Sequence, residues 1–409
     1  MAKILFYNHT GQVSGAERVL MMILNGLDRQ SYEPVVVCPA ASRMMELAES
    51  GSVRTRGLVQ LTARFTWRPD RVAGYLSTFG RVIRQARRVV KDEGPDFIHA
   101  NSIRAGLVMS AATIGLDVPV IWHAHDILPL HPLSTFVRMF ALIKSGNHIL
   151  AVSQAVADAF RGVVLRPFKR RVPITVVRNA VDLKRFYPDV SVRHEMRRAM
   201  GLSDDQPTVG IVGQLTPRKG QLELIRAFPN VVRKVPKAVL LIAGEALFNR
   251  DEEYARRLQD TVEALGLTNN VRFLGPRSDV PRLLQAIDVL VVNSHQEPFA
   301  LTVLEGLATG VAVLGTAVGG TPEMIRHNLN GWLVDRRDND ELASGLITLL
   351  ADGDLRVRLG SQARLDAVSN YSIARFLTEI DTLYRENIAS GKIPQQKKLP
   401  SFKVSLTAD

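Results

Sequence analysis

The sequence has 409 residues, of which 46% are hydrophobic and 22% charged, a balance that excludes a disordered chain, a collagen and a small disulfide scaffold and leaves room for two domains. The one cysteine, Cys38, cannot form an intramolecular disulfide, and the longest uncharged stretch, residues 306–322, is too short and too rich in glycine for a membrane-spanning helix. The net charge of +12 lies in the first half, since residues 1–200 hold 28 basic and 15 acidic residues, whereas residues 201–409 hold 24 and 25.

Short runs of valine, isoleucine and leucine alternate with amphipathic stretches of helical length, which is typical of a parallel α/β protein. Residues 1–12 become polar too soon for a secretory leader, so we expect a cytosolic protein. In the first half the predicted strands are Lys3–Asn8, Pro34–Cys38, Phe97–Ala100, Val118–His123, His148–Val152 and Ile174–Val177. In the second half they are Thr208–Val212, Ala238–Ala243, Val271–Leu274, Val289–Val292, Val311–Leu314 and Trp332–Val334.

Strands this apolar suit parallel sheets that are buried on both faces, so the sequence predicts two doubly wound sheets. The linker between Asp182 and Gln206 is polar and charged. We therefore expect one Rossmann-like domain over residues 1–185 and a second over residues 186–370. A last segment follows over residues 371–388, and residues 389–409, which have no period, are expected to be a mobile tail.

The basic first half predicts a polyanionic partner, which could be an anionic membrane surface, a phosphorylated lipid or nucleic acid. Its densest basic groups are Arg81, Arg84, Arg87, Arg88 and Lys91, and then Arg166, Lys169, Arg170 and Arg171. A solvated helix face would explain the first group equally well. Apolar residues nearby favour the membrane surface, although many could belong to the core. They are Phe65, Trp67, Tyr75, Phe79, Leu128, Leu130, Leu133, Phe136, Met139 and Phe140.

Ligands of open α/β sheets collect at the carboxyl ends of the strands, which directs attention to the turn over residues 213–220. This turn follows a predicted strand and carries Arg218 and Lys219 directly before a predicted helix. Free N–H groups at a helix start, together with two cations, suit a phosphate or a diphosphate. The turn lacks the spacing of a Walker loop, and a solvated pair of cations is the commoner explanation for such residues.

Two carboxylates follow a later strand. Pro298 precedes an apolar run, which predicts Glu297 in the loop and Glu305 about two turns into a helix. Carboxylates that hold vicinal hydroxyls, near cations that hold a diphosphate, are what a sugar nucleotide requires. Helix-end stabilisation by Glu297 and solvation of Glu305 remain the structural alternative.

Polar residues follow other strands as well. His125, after the fourth predicted strand, could donate to a reacting oxygen or orient a substrate, whereas His123 falls within the strand and is expected to be structural. Residues 319–323 predict a helix start with Thr321 as its cap. The Asp-x-Asp patterns at residues 338–340 and 352–354 are better explained by helix capping than by metal binding.

As a set, these motifs resemble the retaining glycosyltransferases of the GT-B fold, family four. The resemblance rests on Glu297 and Glu305 with seven residues between them, the 213–220 turn, and the residues 319–323 and 330–334. It also includes residues 177–186 and extends to about residue 387. It implies two facing Rossmann-like domains with a cleft between them, and a last helix, residues 373–386, that crosses back to the first domain.

The resemblance also implies roles for single residues. Lys219 is expected to bind the donor diphosphate, Glu305 the ribose and Glu297 the transferred sugar, with His125 at the donor sugar or its leaving phosphate. The remaining substrate-binding residues implied are Gly15, Gln214, Arg218, Phe299, Ala300 and Leu301. Gln214 replaces an arginine usual in the family, Ser14 and Ala300 replace glycines, and Pro229 predicts a bend or an early end of the helix after Lys219.

The activity so implied is transfer of a hexosyl unit from a nucleotide-diphosphate sugar to a lipid-linked or glycan acceptor, in the synthesis of cell-surface polysaccharide or glycolipid. No cofactor, no metal and no nucleic-acid partner are expected, and the enzyme is expected in the cytoplasm, with an anionic inner membrane face as a candidate docking surface. Three alternatives stay open: a nucleotide-sugar 2-epimerase of the same fold, a nucleic-acid-binding protein that uses the basic half, and an inactive transferase that lacks the arginine replaced by Gln214.

Overall fold

The computed structural model describes residues 1–61, 69–129, 131–143, 146–163, 165, 172–246, 251–335 and 338–388, with the backbone alone for residues 69–76. The chain divides into two compact units. The first holds Met1–Val152, Val156–Val177 and the residues from Leu377 onward, and the second holds Ser153–Ala155 and Arg178–Phe376. The boundary expected at residue 185 lies slightly beyond the division at Val177.

The first unit is a seven-stranded parallel sheet in the order β3-β2-β1-β4-β5-β6-β7. Its strands are β1 (Ala2–Tyr7), β2 (Tyr32–Pro39), β3 (Arg54–Leu58), β4 (Phe97–Ala100), β5 (Val120–Ala124), β6 (His148–Ala151) and β7 (Ile174–Val176). Its helices are α1 (Gly15–Gly26), α2 (Arg43–Ser50), α3 (Pro69–Glu93), α4 (Ile103–Ala112), α5 (Pro132–Ile143) and α6 (Gln154–Arg161). The central strands β1, β4 and β5 are almost entirely buried, as the apolar runs predict.

The second unit is a six-stranded parallel sheet in the order β10-β9-β8-β11-β12-β13. Its strands are β8 (Thr208–Val212), β9 (Val239–Ala243), β10 (Val271–Gly275), β11 (Val289–Val292), β12 (Ala312–Thr316) and β13 (Trp332–Val334). Its helices are α7 (Val190–Ala199), α8 (Gln221–Lys234), α9 (Glu252–Ala264), α10 (Val280–Ala286), α11 (Leu301–Thr309), α12 (Asn339–Ala351) and α13 (Gly353–Asn370). The last helix, α14 (Ile373–Asn387), belongs to the first unit from Leu377 onward.

Every strand predicted from the sequence is present, with ends shifted by at most a few residues, and the doubly wound α/β class is confirmed. The edge strand β3 was not predicted. Its arginines Arg54 and Arg56 both bind the buried carboxylate of Glu93, so the strand is stabilised by ion pairs that an apolar pattern does not reveal.

Two further local expectations can be compared with the structure. Helix α8 does not end at Pro229 but continues to Lys234, because Ile225, Phe228 and Val231 are buried in the core and hold it. The capping interpretation is confirmed, since Asp338 accepts from the backbone of Asp340 and Glu341, and Asp352 caps α13.

Several residues singled out in the sequence lie outside the described ranges. They are Phe65, Trp67, Leu130, the basic group at residues 166–171 and the tail over residues 389–409. The side chain of Tyr75 is also outside them.

Candidate functional site

In the second unit, the turn that carries the two cations is built around Gly220. Gly220 has a left-handed backbone with φ of 69°, and a Cβ atom there would lie 2.0 Å from the carbonyl oxygen of Asn293. The Asn293 side chain donates from Nδ2 to the carbonyl of Gly220 at 2.9 Å. A glycine is therefore required here, because it lets the turn after β8 lie directly against the loop after β11.

Arg218 and Lys219 also join the turn after β8 to the loop after β11. The backbone N–H of His295 donates to the carbonyl of Arg218 at 2.8 Å, and the Arg218 guanidinium donates to the carbonyl of Gln296 at 3.0 Å. The Lys219 ammonium lies 2.6 Å from Oε2 of Glu297, and Arg218 lies 3.9 Å from the same atom. The structure thus brings together three of the residues predicted for the donor site.

Glu297 is buried, with 4% of its surface exposed, and Ser294 donates to its carboxylate at 2.9 Å. Burial alone would raise the pKa of this carboxyl. The charges of Lys219 and Arg218, with hydrogen bonds from Lys219 and Ser294, outweigh burial and hold the pKa below its ordinary value of 4.5. Glu297 is therefore an ionised, oriented acceptor.

Helix α11 positions the remaining residues predicted after β11. It begins at Leu301 and not directly after Pro298, so Glu305 lies just over one turn into the helix, correcting the two turns expected. Phe299, Ala300 and Glu305 are buried. Leu301 and Glu305, four residues apart, lie on the same face of α11, and the first N–H groups of the helix point away from its body.

Backbone contacts complete this edge of the second sheet. Gly320 donates its N–H to the carbonyl of Glu297 at 2.9 Å, and a Cβ atom at Gly320 would lie 2.2 Å from the carbonyl oxygen of Pro298. The predicted cap at Thr321 is wrong: residues 321–323 form a short 3-10 turn that begins after Gly320, and the hydroxyl of Thr321 makes no cap bond. Gln214 is half-buried, and its carbonyl accepts from Gln221 at 2.9 Å.

In the first unit, His125 follows β5 and lies against two other polar side chains. Its Nε2 is 3.1 Å from Oδ1 of Asn101, and its ring packs at a tilt of 38° against the ring of His123, with 3.9 Å between the ring centroids. Burial lowers the pKa of His125 from 6.5 to about 3. The imidazole is therefore neutral at physiological pH.

A line of buried rings continues from His125 into the core. His123 Nδ1 lies 3.1 Å from His99 Nε2, and His99 Nδ1 lies 2.8 Å from the hydroxyl of Tyr384 in α14. Burial lowers the pKa of His99 to about 3 and that of His123 well below its ordinary value. His123 is fully buried, and its Nε2 has no hydrogen-bond partner among the described residues.

Asn101 connects His125 to the predicted glycine turn. Its Nδ2 lies 3.3 Å from the carbonyl of Ala16, the residue after Gly15 at the start of α1. Glu17 accepts from both the N–H and the hydroxyl of Ser14, which fixes the first turn of α1. His125 and Gly15 therefore belong to one hydrogen-bonded region of the first unit.

Sequence reasoning assigned no role to Ser294, Asn293 and Asn101. The signal that could have found them is their position, since Asn293 and Ser294 directly follow β11 and Asn101 directly follows β4. Within the described ranges, no group of three or more histidine, cysteine, aspartate or glutamate residues is placed to hold a metal. None of the helices in those ranges has the length and hydropathy that a membrane span requires.

Two family profiles match nearly consecutive parts of the chain. The profile of glycosyltransferase family 4 matches residues 13–185, and that of the glycosyl transferases group 1 matches residues 192–366. A D-inositol 3-phosphate glycosyltransferase of Salinispora arenicola is 34% identical over 74% of this chain and 71% of its own length. The chain belongs to the family 4, group 1 glycosyltransferases.

Other relatives agree with this assignment. The UDP-Gal:alpha-D-GlcNAc-diphosphoundecaprenol alpha-1,3-galactosyltransferase of Escherichia coli is 21% identical over 92% of this chain and 95% of its own. The structure of Anabaena HepE in complex with UDP-glucose superposes with a TM-score of 0.79 at 25% identity, covering 94% of this chain and all of HepE. This likeness confirms the GT-B fold. The chain spans 59% and 54% of the length of two other curated glycosyltransferases that it matches.

Proposed function

We propose that this glycosyltransferase moves a hexosyl unit from a nucleotide-diphosphate sugar to a hydroxyl of a lipid-linked or glycan acceptor, in the synthesis of cell-surface polysaccharide or glycolipid. The observation that carries the proposal is the contact of 2.6 Å between Lys219 and the buried carboxylate of Glu297, with Arg218 beside them. The cations suit the diphosphate of the donor and the carboxylate suits its sugar hydroxyls. In this proposal Glu305 holds the ribose from α11, and His125 contacts the donor sugar or its leaving phosphate.

The relatives favour a uridine nucleotide as the first donor to test. HepE was crystallised with UDP-glucose, and the Escherichia coli relative is named for UDP-galactose and a diphosphoundecaprenol-linked acceptor. Both names fit a hexosyl donor, and the second fits an acceptor carried on a lipid. We therefore assign UDP-hexoses as the donor class and a polyprenyl-linked sugar as the acceptor class.

We propose that transfer retains the configuration at C1 and proceeds without a metal or a cofactor. The bond between C1 and the diphosphate oxygen breaks while the acceptor oxygen bonds to C1 on the same face, and the acceptor proton passes to the leaving diphosphate. Lys219, Arg218 and the N–H groups of Phe299, Ala300 and Leu301 stabilise the charge that develops on that diphosphate. These two cations supply the positive charge that a divalent metal supplies in other transferases.

The test uses the purified full chain with UDP-hexoses and a polyprenyl-linked sugar acceptor. We expect a new glycosidic bond with the donor's anomeric configuration, read from the proton coupling at C1, and an unchanged rate in a metal chelator. Conversion of the donor without acceptor would indicate an epimerase instead. A wild-type chain that binds nucleotide, read as protection against thermal unfolding, yet transfers no sugar would contradict the proposal.

Membrane docking is the second part of the proposal, and it rests on α5. One side of this helix packs inward, whereas its other side exposes Leu133, Phe136, Met139 and Ile143 by 42–61%. Arg138, the one charged residue of α5, turns inward and donates to the carbonyls of Ala159 and Phe160. An exposed apolar stripe of this kind suits the acyl boundary of a bilayer.

The basic face of α3 lies on the same side of the first sheet. Right-handed crossovers place α3, α4 and α5 on one face, and α4 packs against both neighbours. Arg81, Arg84, Arg88 and Lys91 of α3 are exposed. Their charge complements anionic lipid headgroups, so we assign an anionic membrane, at the cytoplasmic face, as the occupant of this surface.

Sedimentation with vesicles tests this docking. We expect binding to vesicles with anionic lipid, weaker binding at high salt, and loss of binding in Phe136→Ser/Met139→Ser. The matched control is Val357→Ser/Leu365→Ser, which removes from α13 in the second unit two apolar side chains that are exposed by 68% and 61%. Binding that is unaffected by the α5 substitutions would contradict the assignment.

A further inference from the structure

We propose that Asn101 is a positioning residue for the transfer reaction: it holds His125 as the tautomer protonated at Nε2, so that the ring presents Nδ1 to the substrate as a hydrogen-bond acceptor. The inference deepens the proposed function and rests on it for the identity of the substrate. It concerns four consecutive contacts within the first unit.

The first contact fixes the amide of Asn8, which follows β1. Asn8 Nδ2 lies 2.7 Å from the carbonyl oxygen of Thr10, and a carbonyl can only accept. The NH₂ end of Asn8 therefore faces Thr10, and its Oδ1 faces Asn101. Asn8 is completely buried, so this orientation has no competition from solvent.

The next two contacts fix Asn101 in turn. Its Nδ2 lies 3.0 Å from Oδ1 of Asn8 and 3.3 Å from the carbonyl oxygen of Ala16, which are both acceptors. Both N–H groups of the amide are thereby used, and Oδ1 is left facing His125. Asn101 is also completely buried, and its backbone N–H is held by the carbonyl of Tyr7 at 2.9 Å.

The last contact sets the tautomer. Oδ1 of Asn101 accepts only, so the Nε2 atom of His125, 3.1 Å away, must carry the proton. Burial keeps the pKa of His125 far below neutrality, so the ring has one proton and Nδ1 has none. The ring is further held by its contact with the ring of His123. Of the two roles expected from the sequence, donation to a reacting oxygen and orientation of a substrate, the proposal favours the second, with acceptance at Nδ1, which suits a sugar hydroxyl and not a phosphate oxygen.

Nitrogen NMR on the full chain tests the tautomer directly. The chain is labelled with ¹⁵N-histidine, the ring nitrogens are read through long-range proton couplings, and His125→Gln identifies the His125 signals. We expect a protonated Nε2 and a bare Nδ1 at pH 7.5. A proton on Nδ1 in the wild type would overturn the proposal without any need for a stable variant at Asn101.

Asn101→Leu supplies the kinetic test, since leucine fills a similar volume but cannot accept. We expect both tautomers in the spectrum and a kcat/KM for transfer lowered about 3- to 10-fold, the value of one hydrogen bond. The control is Ser110→Ala, which removes a buried hydroxyl bonded to Asn147 and Trp122 in the same unit and should leave the His125 spectrum unchanged. A wild-type tautomer retained in Asn101→Leu would contradict the proposal. An inactive wild type would contradict the proposed function, and the spectrum would still decide this inference.

Discussion

The titratable groups at the carboxyl ends of the two sheets differ in their charge state. In the first unit, His99 and His123 are buried and His125 is half-buried, none of them has an acidic partner among the described residues, and burial lowers the pKa of all three. In the second unit, Glu297 is also buried but keeps its charge, because Lys219 and Arg218 outweigh burial. One end is polar and neutral, and the other is ionised and paired. A buried titratable group can thus be accommodated either in its neutral form or as an ion that is paired with an opposite charge.

Removal of Lys219 should have the largest effect. In Lys219→Met we expect kcat/KM for transfer to fall about 100-fold or more, because a preorganised cation at the leaving group is lost. We also expect the free energy of unfolding to fall by about 3 kcal/mol, because Glu297 stays buried without its nearest partner. Urea unfolding and steady-state kinetics measure the two effects.

Two variants separate these effects. Lys219→Met/Glu297→Gln should recover most of the stability and none of the activity, since it removes the unmatched charge. Lys234→Met, an exposed lysine at the far end of α8, should change neither. Full activity in Lys219→Met would show that the ion pair has a purely structural role.

Acid should distinguish the two units in one experiment. The pKa of His99 and His125 falls from 6.5 unfolded to about 3 folded, so their contribution to stability is complete above pH 6.5 and is lost as the pH falls below it. The pKa of Glu297 is lowered from 4.5, so its contribution is complete above 4.5 and is lost as the pH falls through its lowered value. Between pH 6.5 and 4.5 the first unit alone should weaken through these groups, by about 1.4 kcal/mol per pH unit for each histidine.

Hydrogen exchange read by mass spectrometry follows peptides of both units in one sample. We expect protection of β4 and β5 to decline from pH 7 to pH 5, after correction for intrinsic exchange, while protection of β8 and β11 holds. His99→Phe should reduce this loss of protection in the first unit by the contribution of one histidine. An equal decline of protection in both units would contradict the expected difference between the histidines of the first unit and Glu297 of the second.

A substitution that disturbs the close contact between the turn after β8 and the loop after β11 should have the next largest effect. Gly220→Ala should lower the free energy of unfolding by about 3 kcal/mol, because the new Cβ meets the Asn293 carbonyl and the left-handed backbone penalises alanine. Gly266→Ala is the matched control, with φ of 67° and nothing within 4 Å of the added atom. It should cost about 1 kcal/mol. Equal losses in urea unfolding would mean that the contact of Gly220 with Asn293 has no energetic weight.

The smallest expected effect concerns Ser294. Ser294→Ala removes one hydrogen bond to the ionised Glu297, which should raise the pKa of that carboxyl and lower stability at pH 7 by about 1.5 kcal/mol. Because the lysine remains, transfer should fall far less than in Lys219→Met. Unfolding measured from pH 7 to pH 3 reports both changes. A loss of activity as large as that of Lys219→Met would show that Ser294, and not the cation, orients Glu297.

Sequence patterns predicted the sheets well because buried parallel strands are continuous apolar runs, as at Val289–Val292. They missed β3, where arginines pair with Glu93, since a partner more than thirty residues away leaves no local trace. They also predicted a bend or an early end of the helix at Pro229, whereas α8 continues to Lys234 because its packing against the core outweighs the lost hydrogen bond.

Within the candidate sites, local rules found the residue types but not their partners. The strand-end rule located Lys219, Glu297 and His125, each in the segment between a strand and the following helix. The contact between Lys219 and Glu297 joins residues 78 positions apart, and that between Asn101 and Asn8 joins residues 93 apart. Such pairs depend on strand order, which places β8 beside β11 and β1 beside β4. No spacing along the chain specifies that order.

Helix α14 has a consequence for how the protein is made. Tyr384 closes the line of rings behind His125, and Asp381 accepts from the hydroxyl of Tyr32, yet both are synthesised after the entire second unit. On the ribosome, the amino-terminal sheet therefore lacks this helix until the second unit has been synthesised. A chain truncated before Ile373 would leave Phe97 and Tyr32 without the ring of Tyr384 that packs on them. A segment that is synthesised after the second unit is thus needed to complete the first unit.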